Sequence, residues 1–160
     1  FSKEKNEVDS RFVNLKMLTN KNFIFFSNYK SRKAQQFNGH NQVSVLIYWN
    51  SINLQIRMKG KIKKTTSMFN DDYFSNRSVY KNALAISSNQ SQKIDSYEGV
   101  VEKYNAALKT KNLKVCPEYW GGFKIKPYYF EFWEGHESRL NKREAYEKTD
   151  DSWKHLILQP

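Results

Sequence analysis

Trp120-Gly121-Gly122, then Glu131-Phe132-Trp133-Glu134-Gly135, then Ser138-Arg139-Leu140 with Arg143 form the stretch on which the reading of this chain turns. Residues 120–143 set aromatic walls, tight glycines and two arginines close together in sequence. A flat, conjugated, phosphorylated ligand needs an apolar or aromatic face for its rings and fixed guanidinium forks for its oxygens. The same residues also fit a plain strand-turn-strand, with tryptophans in the core and arginines in water. The rest of the chain decides between the two.

At 160 residues the chain suits one domain with a real hydrophobic core. Its only cysteine, Cys116, excludes an internal disulfide and any thiolate metal cluster. His40, His136 and His155 are scattered without zinc-motif spacing, so no metal is expected. The apolar runs 23–26 and 43–49 are too short to cross a bilayer, and Phe1-Ser2-Lys3-Glu4 lacks signal-peptide character. The expectation is a soluble, cytoplasmic protein without a membrane partner. A net charge of +11 raises the question of a polyanion. The cations are spread along the chain and interrupted by acids, however, which reads as a solvated basic surface and not as a nucleic-acid site.

Residues 55–63 alternate strictly, with Ile56, Met58, Gly60 and Ile62 on one face and Gln55, Arg57, Lys59, Lys61 and Lys63 on the other. Residues 11–17, 23–28 and 42–49 are further β-rich runs at the short spacing of an antiparallel barrel or sandwich. Helices are expected over 31–37, with Ser31 as N-cap and Gly39 just past the end, over 67–76, and over 96–108. Asp95 followed by Glu98 imitates a capping box before the last of these. After Pro117 the strands resume over 123–125, 129–133, 143–147 and 153–158, with a turn at Asp150-Asp151. The sum is a mainly β, antiparallel barrel with peripheral helices.

Ser31-Arg32-Lys33 follows a strand and opens a helix, so backbone N–H groups, the helix dipole and two cations can converge on one anion. Arg11 and Lys16 sit five positions apart, on opposite faces of an ideal strand. Gln90-Ser91 offers an amide and a hydroxyl to a ring edge, or simply makes a turn.

In order, these pieces resemble the pyridoxamine 5′-phosphate oxidase family of FMN-binding split-barrel homodimers. The resemblance runs through residues 11–16, Phe25-Phe26-Ser27-Asn28, Ser31-Arg32-Lys33-Ala34, Trp49, Gln55, Gly60, Tyr73-Phe74, Arg77, Gln90-Ser91, Trp120-Gly121-Gly122, Glu131-Phe132-Trp133, Gly135, Arg139-Leu140, Arg143 and Pro160. It implies a single split-barrel domain over 1–160, Greek-key-like, with FMN at a dimer interface. It implies FMN contacts from Arg11, Phe12, Val13, Lys16, Phe26, Ser27, Arg32, Lys33, Gln55, Gln90, Ser91, Trp133 and Arg143. Substrate phosphate falls to Lys16, Tyr73 and Arg77, and Arg139 sets a guanidinium against the pyridine ring as the catalytic group. The implied reaction oxidises pyridoxamine or pyridoxine 5′-phosphate to pyridoxal 5′-phosphate with oxygen as acceptor.

The chain also departs from that pattern. Asn141 stands where the family usually has histidine, so a titratable role there is lost. Lys81 stands in place of a phosphate-binding serine, in a stretch, 78–86, without the family's Arg-Pro-Arg-Gly-Ser-like run. Lys81 and Asn141 therefore join the expected substrate contacts. Leu54 replaces a common arginine, and Asn14 intrudes in the first strand. The family's N-terminal helical segment is expected to be missing, with Phe1 near the end of the first barrel strand. FMN contacts thus survive better than substrate contacts. Three readings follow: an active oxidase, a divergent non-catalytic relative that binds FMN or a vitamin B6 phosphate within a larger assembly, and a basic nucleic-acid-binding barrel.

Overall fold

The computed structural model describes Ser2 and residues 5–160, the side chain of Thr110 excepted. The strand end expected at Phe1 lies outside the described residues. Seven strands form one sheet: β1 (Leu15–Thr19), β2 (Asn22–Asn28), β3 (Gln42–Trp49), β4 (Leu54–Lys64), β5 (Trp120–Glu134), β6 (Lys142–Lys148) and β7 (Trp153–Ile157). Their order is β1-β2-β5-β4-β3, with β6 on β5 and β7 on β6. Four α-helices accompany them: α1 (Arg32–Gly39), α2 (Ser67–Ser75), α3 (Val79–Ser87) and α4 (Tyr97–Thr110). The expected mainly β chain with peripheral helices is therefore present.

Several boundaries differ from expectation. The first strand begins at Leu15, not at residue 11, and Phe12 is fully exposed. The runs 123–125 and 129–133 are one strand, because Pro127 leaves the extended backbone of β5 unbroken. Gly39 is the last residue of α1, and His40 closes the helix by donating its N–H to Gln36 O. Ser96, not Asp95, caps α4 and accepts from Gly99 N at 3.1 Å. Helix α3 was not expected; its signal was Ser78 followed by the helix-forming run Ala83-Leu84-Ala85.

The chain clusters into two compact units. The first comprises Phe1–Met17, Ile24–His40 and Lys63–Lys124, the second Leu18–Phe23, Asn41–Ile62 and Ile125–Pro160. In the first unit, alternation along β2 sends adjacent phenylalanines to opposite faces. Phe25 packs on Phe123 of β5 and Phe37 of α1, with centroids at 5.6 and 6.4 Å. Phe26 stacks on Tyr73 of α2 at 3.7 Å and on Trp120 at 5.1 Å. Gly121 is required where it is: a Cβ there would lie 2.2 Å from the Tyr29 hydroxyl and 2.3 Å from the Asn70 amide. Asn70 accepts from Gly122 N at 2.9 Å and donates to the Tyr29 hydroxyl at 3.0 Å, tying α2 to β5. Cys116 is half-buried; burial first, then the Asp71 charge, pushes its thiol up to about 11.

In the second unit β3 pairs antiparallel with β4 from Gln42↔Lys61 to Trp49↔Leu54. The expected alternation of β4 holds from Met58 on, where Met58, Gly60 and Ile62 are buried and Lys59, Lys61 and Lys63 exposed, whereas Gln55, Ile56 and Arg57 are all half-buried. β5 pairs with β6 from Tyr129↔Glu147 to Glu134↔Lys142, and β6 with β7 from Glu144↔Ile157 to Lys148↔Trp153. Phe130, Phe132, Tyr146 and Trp153 share a half-buried aromatic face of this sheet.

Asn82 is a fully buried polar hinge of the first unit. Its amide donates to Leu113 O at 2.7 Å and Phe74 O at 2.9 Å, and its oxygen accepts from Arg77 at 3.0 Å. Asn82→Ala strands these partners, and the expected loss is about 1–3 kcal/mol of unfolding free energy, read from urea titration.

Candidate functional site

The site residues fall in both units. In the first, a cleft of about 340 Å³ is lined by Lys16, Phe26, Ser27, Tyr73, Arg77, Lys81 and Gln90, together with Asn14, Trp120, three further polar side chains and the apolar Leu84 and Ala85. β1 contributes Lys16, β2 contributes Phe26 and Ser27, and α2 and α3 contribute Tyr73 and Lys81. Residues expected to hold cofactor and residues expected to hold substrate phosphate thus meet in one cleft. None of its lining residues is acidic. The stacked rings of Phe26, Tyr73 and Trp120 form its aromatic wall, with the Arg77 guanidinium 5.2 Å from the Trp120 ring centroid. Burial pulls the Arg77 pKa below its ordinary value, but a guanidinium stays charged at neutral pH.

Behind the cleft, Ser27 Oγ donates to Gln90 Oε1 at 2.9 Å and accepts from Lys33 Nζ at 3.2 Å. Gln90 also accepts from Asn28 N at 3.2 Å, so an amide 62 residues away fixes the end of β2. Lys33 is buried; desolvation first, and then the charge of Arg11, lowers its pKa. The hydroxyl of Ser31, at the N-terminus of α1, is fully buried and has no hydrogen-bond partner. A buried orphan hydroxyl beside two cations and the free N–H groups of a helix start fits a phosphate group.

Arg32 and Arg11 are engaged by the segment before β1. Arg32 pairs with Glu7 at 3.1 Å and with Asp9 at 3.3 Å. Arg11 pairs with Asp9 and donates to Gln36 at 2.9 Å. Burial raises the Asp9 pKa, but Arg11, Gln36 and Arg32 more than offset it and hold the carboxyl below its ordinary value. Glu7 and Asp9 were missed from sequence, where they read only as acids interrupting a basic run. Phe12 and Val13 are exposed, and Ser91 sits in a turn at φ 74°.

In the second unit, period-two alternation puts Glu131 and Trp133 of β5 on one face, and Arg143 of β6 lies directly opposite Trp133. Arg143 reaches diagonally to Glu131, donating from Nε at 3.0 Å and Nη2 at 2.8 Å to one carboxylate oxygen. Tyr129 at 2.9 Å and Arg57 at 3.3 Å take the other. Gln55, two residues from Arg57 on β4, shares this face. Glu131 is 2% exposed. Burial raises its pKa, but the hydrogen bonds from Arg143 and Tyr129 and the charge of Arg57 outweigh that and lower it. Glu131 was also missed; its signal was a lone acid between two aromatic strand residues.

Arg139 is exposed and lies at φ 63°, in a turn where its N–H donates to His136 O. Asn141 Oδ1 accepts from His136 N at 3.0 Å, so the residue found in place of histidine closes this turn. Among the described residues no three His, Cys, Asp or Glu side chains converge to hold a metal ion, and no helix is long and apolar enough to cross a membrane.

Residues 2–109 match the family described as pyridoxamine 5′-phosphate oxidase, and residues 120–160 match the pyridoxine 5′-phosphate oxidase C-terminal dimerisation region. A pyridoxine/pyridoxamine 5′-phosphate oxidase of Legionella pneumophila is 39% identical over 159 residues, 98% of this chain and 74% of the relative. Among solved structures, PhzG from Burkholderia lata, in complex with tetrahydrophenazine-1-carboxylic acid, is 25% identical with a TM-score of 0.90, covering 100% of this chain and 79% of that one. A pyridoxamine 5′-phosphate oxidase-related, FMN-binding protein from Nostoc punctiforme is 15% identical with a TM-score of 0.76, covering 94% and 80%, and bears on the fold alone. These likenesses agree with the split barrel expected from sequence.

The ion cluster has a pH signature. Because the Glu131 pKa is lowered on folding, its stabilisation is full above its ordinary value of 4.5 and drains away as pH falls through the lower folded value. Glu131→Gln is expected to flatten the stability profile below that value, measured as urea midpoints between about pH 3 and 6.

Proposed function

The chain belongs to the pyridoxamine 5′-phosphate oxidase family, and from that premise we propose that it is an FMN-dependent oxidase converting pyridoxamine or pyridoxine 5′-phosphate to pyridoxal 5′-phosphate. Oxygen is the acceptor in this reading, the whole chain is one split-barrel domain, and the working form is a homodimer. Membership of the family supports FMN as the cofactor. The dimerisation-region match supports the dimer. The observation that carries the reading is the acid-free, aromatic-walled cleft holding Lys16, Tyr73, Arg77 and Lys81 together with Ser27 and Gln90.

In this reading Ser31, Arg32, Lys33 and Arg11 hold the cofactor phosphate. Cations of fixed geometry and helix N–H groups favour a dianion. Ser27 and Gln90 are already oriented by each other and by Lys33, which leaves little to reorganise on binding. Gln55, Trp133 and Arg143, in the second unit, are also read as cofactor contacts. When bound, FMN would supply two-electron chemistry: the carbon bearing the amine or alcohol would lose a hydride and its heteroatom a proton, and oxygen would take up both as hydrogen peroxide. With the amine substrate, water would hydrolyse the resulting imine to the aldehyde and ammonia.

Lys16, Tyr73 and Arg77 grip the substrate phosphate, and Lys81 adds a third cation where the family carries a neutral hydroxyl. Asn82 holds Arg77 in place from behind. Arg139 orients the pyridine ring and favours the charge changes of oxidation. Asn141 shapes the turn that presents Arg139 and moves no proton.

The test is anaerobic addition of pyridoxamine 5′-phosphate to the FMN-loaded protein. The flavin band should bleach, then return with oxygen. A band that never bleaches would favour the non-catalytic relative, a reading that rests on Asn141 and Lys81. Arg139→Leu is expected to cut turnover far more than flavin content; loss of flavin in proportion would refute its assigned role. Arg32→Ala is expected to weaken FMN binding roughly 10- to 100-fold, the scale of one lost charge-assisted contact, as measured by fluorescence titration.

A further inference from the structure

Arg143 donates three of its five N–H groups inside the chain. Two go to Glu131 Oε1, and a third, from Nη1, goes to Gln159 O at 2.8 Å. Among the described residues, one N–H on each terminal nitrogen has no partner in the chain. The Glu131 carboxylate is itself fixed from the other side, by the Tyr129 hydroxyl and Arg57. It is 2% exposed, so it cannot meet a ligand directly, whereas the Arg143 side chain is 26% exposed. One carboxylate between two guanidiniums leaves the cluster with one excess positive charge. An arginine on a short strand would otherwise sample many rotamers and offer no defined edge.

We propose that Glu131 is a positioning residue for the cofactor. It locks the Arg143 guanidinium in one orientation, which leaves its two remaining N–H groups for the acceptor atoms of the flavin nucleotide. The Tyr129 hydroxyl and Arg57 hold Glu131 for that task, and the Gln159 carbonyl fixes the far end of the fork. This rests on the reading of Arg143 as a cofactor contact.

The experiment is a double-mutant cycle on FMN affinity, titrated by flavin fluorescence on the apoprotein, with Glu131→Gln, Arg143→Lys and the pair. Arg143→Lys keeps the charge but removes the fork. Each single change is expected to weaken FMN by roughly tenfold, and the pair to bind no worse than Arg143→Lys alone. A residue that merely stabilised the fold would act independently, so multiplied effects in the pair would overturn the proposal. Wild-type affinity in Glu131→Gln, with Arg143→Lys weakened, would overturn it alone. Wild-type affinity in Arg143→Lys would remove the cofactor role of Arg143 and the proposal with it. Should Glu131→Gln fail to fold, Glu131→Asp, which keeps the charge but withdraws it from the fork, enters the same cycle with the same expected non-additivity.

Discussion

Like charges gathered to meet an anion repel one another until it arrives, and this protein offsets that repulsion with a few well-placed carboxylates. Asp9 lies between Arg11 and Arg32, with Glu7 on the outer side of Arg32. Glu131 does the same between Arg57 and Arg143. At Glu131 one acid serves two guanidiniums and leaves one positive charge in excess, whereas near α1 two acids face Arg11 and Arg32 and the buried Lys33 supplies the excess. The exposed and half-exposed pairs near α1 are worth little to stability. The Glu131 cluster differs because removing its buried acid leaves two arginines facing each other in poor solvent.

The aromatic residues supply the other half of the design. Phe25 and Phe26 are neighbours in sequence, yet one closes the core against α1 and the other lines the cleft against α2. The strand therefore divides core-facing from cleft-facing surface within two residues. Gly121 and Gly122 extend this economy: their missing side chains let Tyr29, Thr65 and Asn70 approach β5 closely, which seats Trp120 against Phe26 and Tyr73.

Much of this was legible in sequence because strand alternation is local. β3 and the buried face of β4 followed from the pattern of their own residues, and Ser31-Arg32-Lys33 announced the start of α1. The partners of those residues were not legible. That Gln90 would reach Ser27, or Asn82 would hold Arg77, depends on chain reversals that no periodicity encodes. Helix α3 was hidden because a stretch judged by the motif it lacked was not judged by its own alanines. Glu131 looked like one more acid in an aromatic strand, and only the diagonal register of β5 and β6 shows whom it serves.

The sulfur chemistry of the chain follows from where Cys116 sits. Peroxide attacks thiolates, not thiols. If the proposed oxidase reaction releases peroxide, the chain's own side chains meet it first, and the lone thiol is half-buried and protonated across the physiological range. Such damage would fall instead on Met68, which stands 81% exposed on α2, the helix that also carries Tyr73. Ageing of the working protein should therefore be written in methionine sulfoxide before it is written in cysteine.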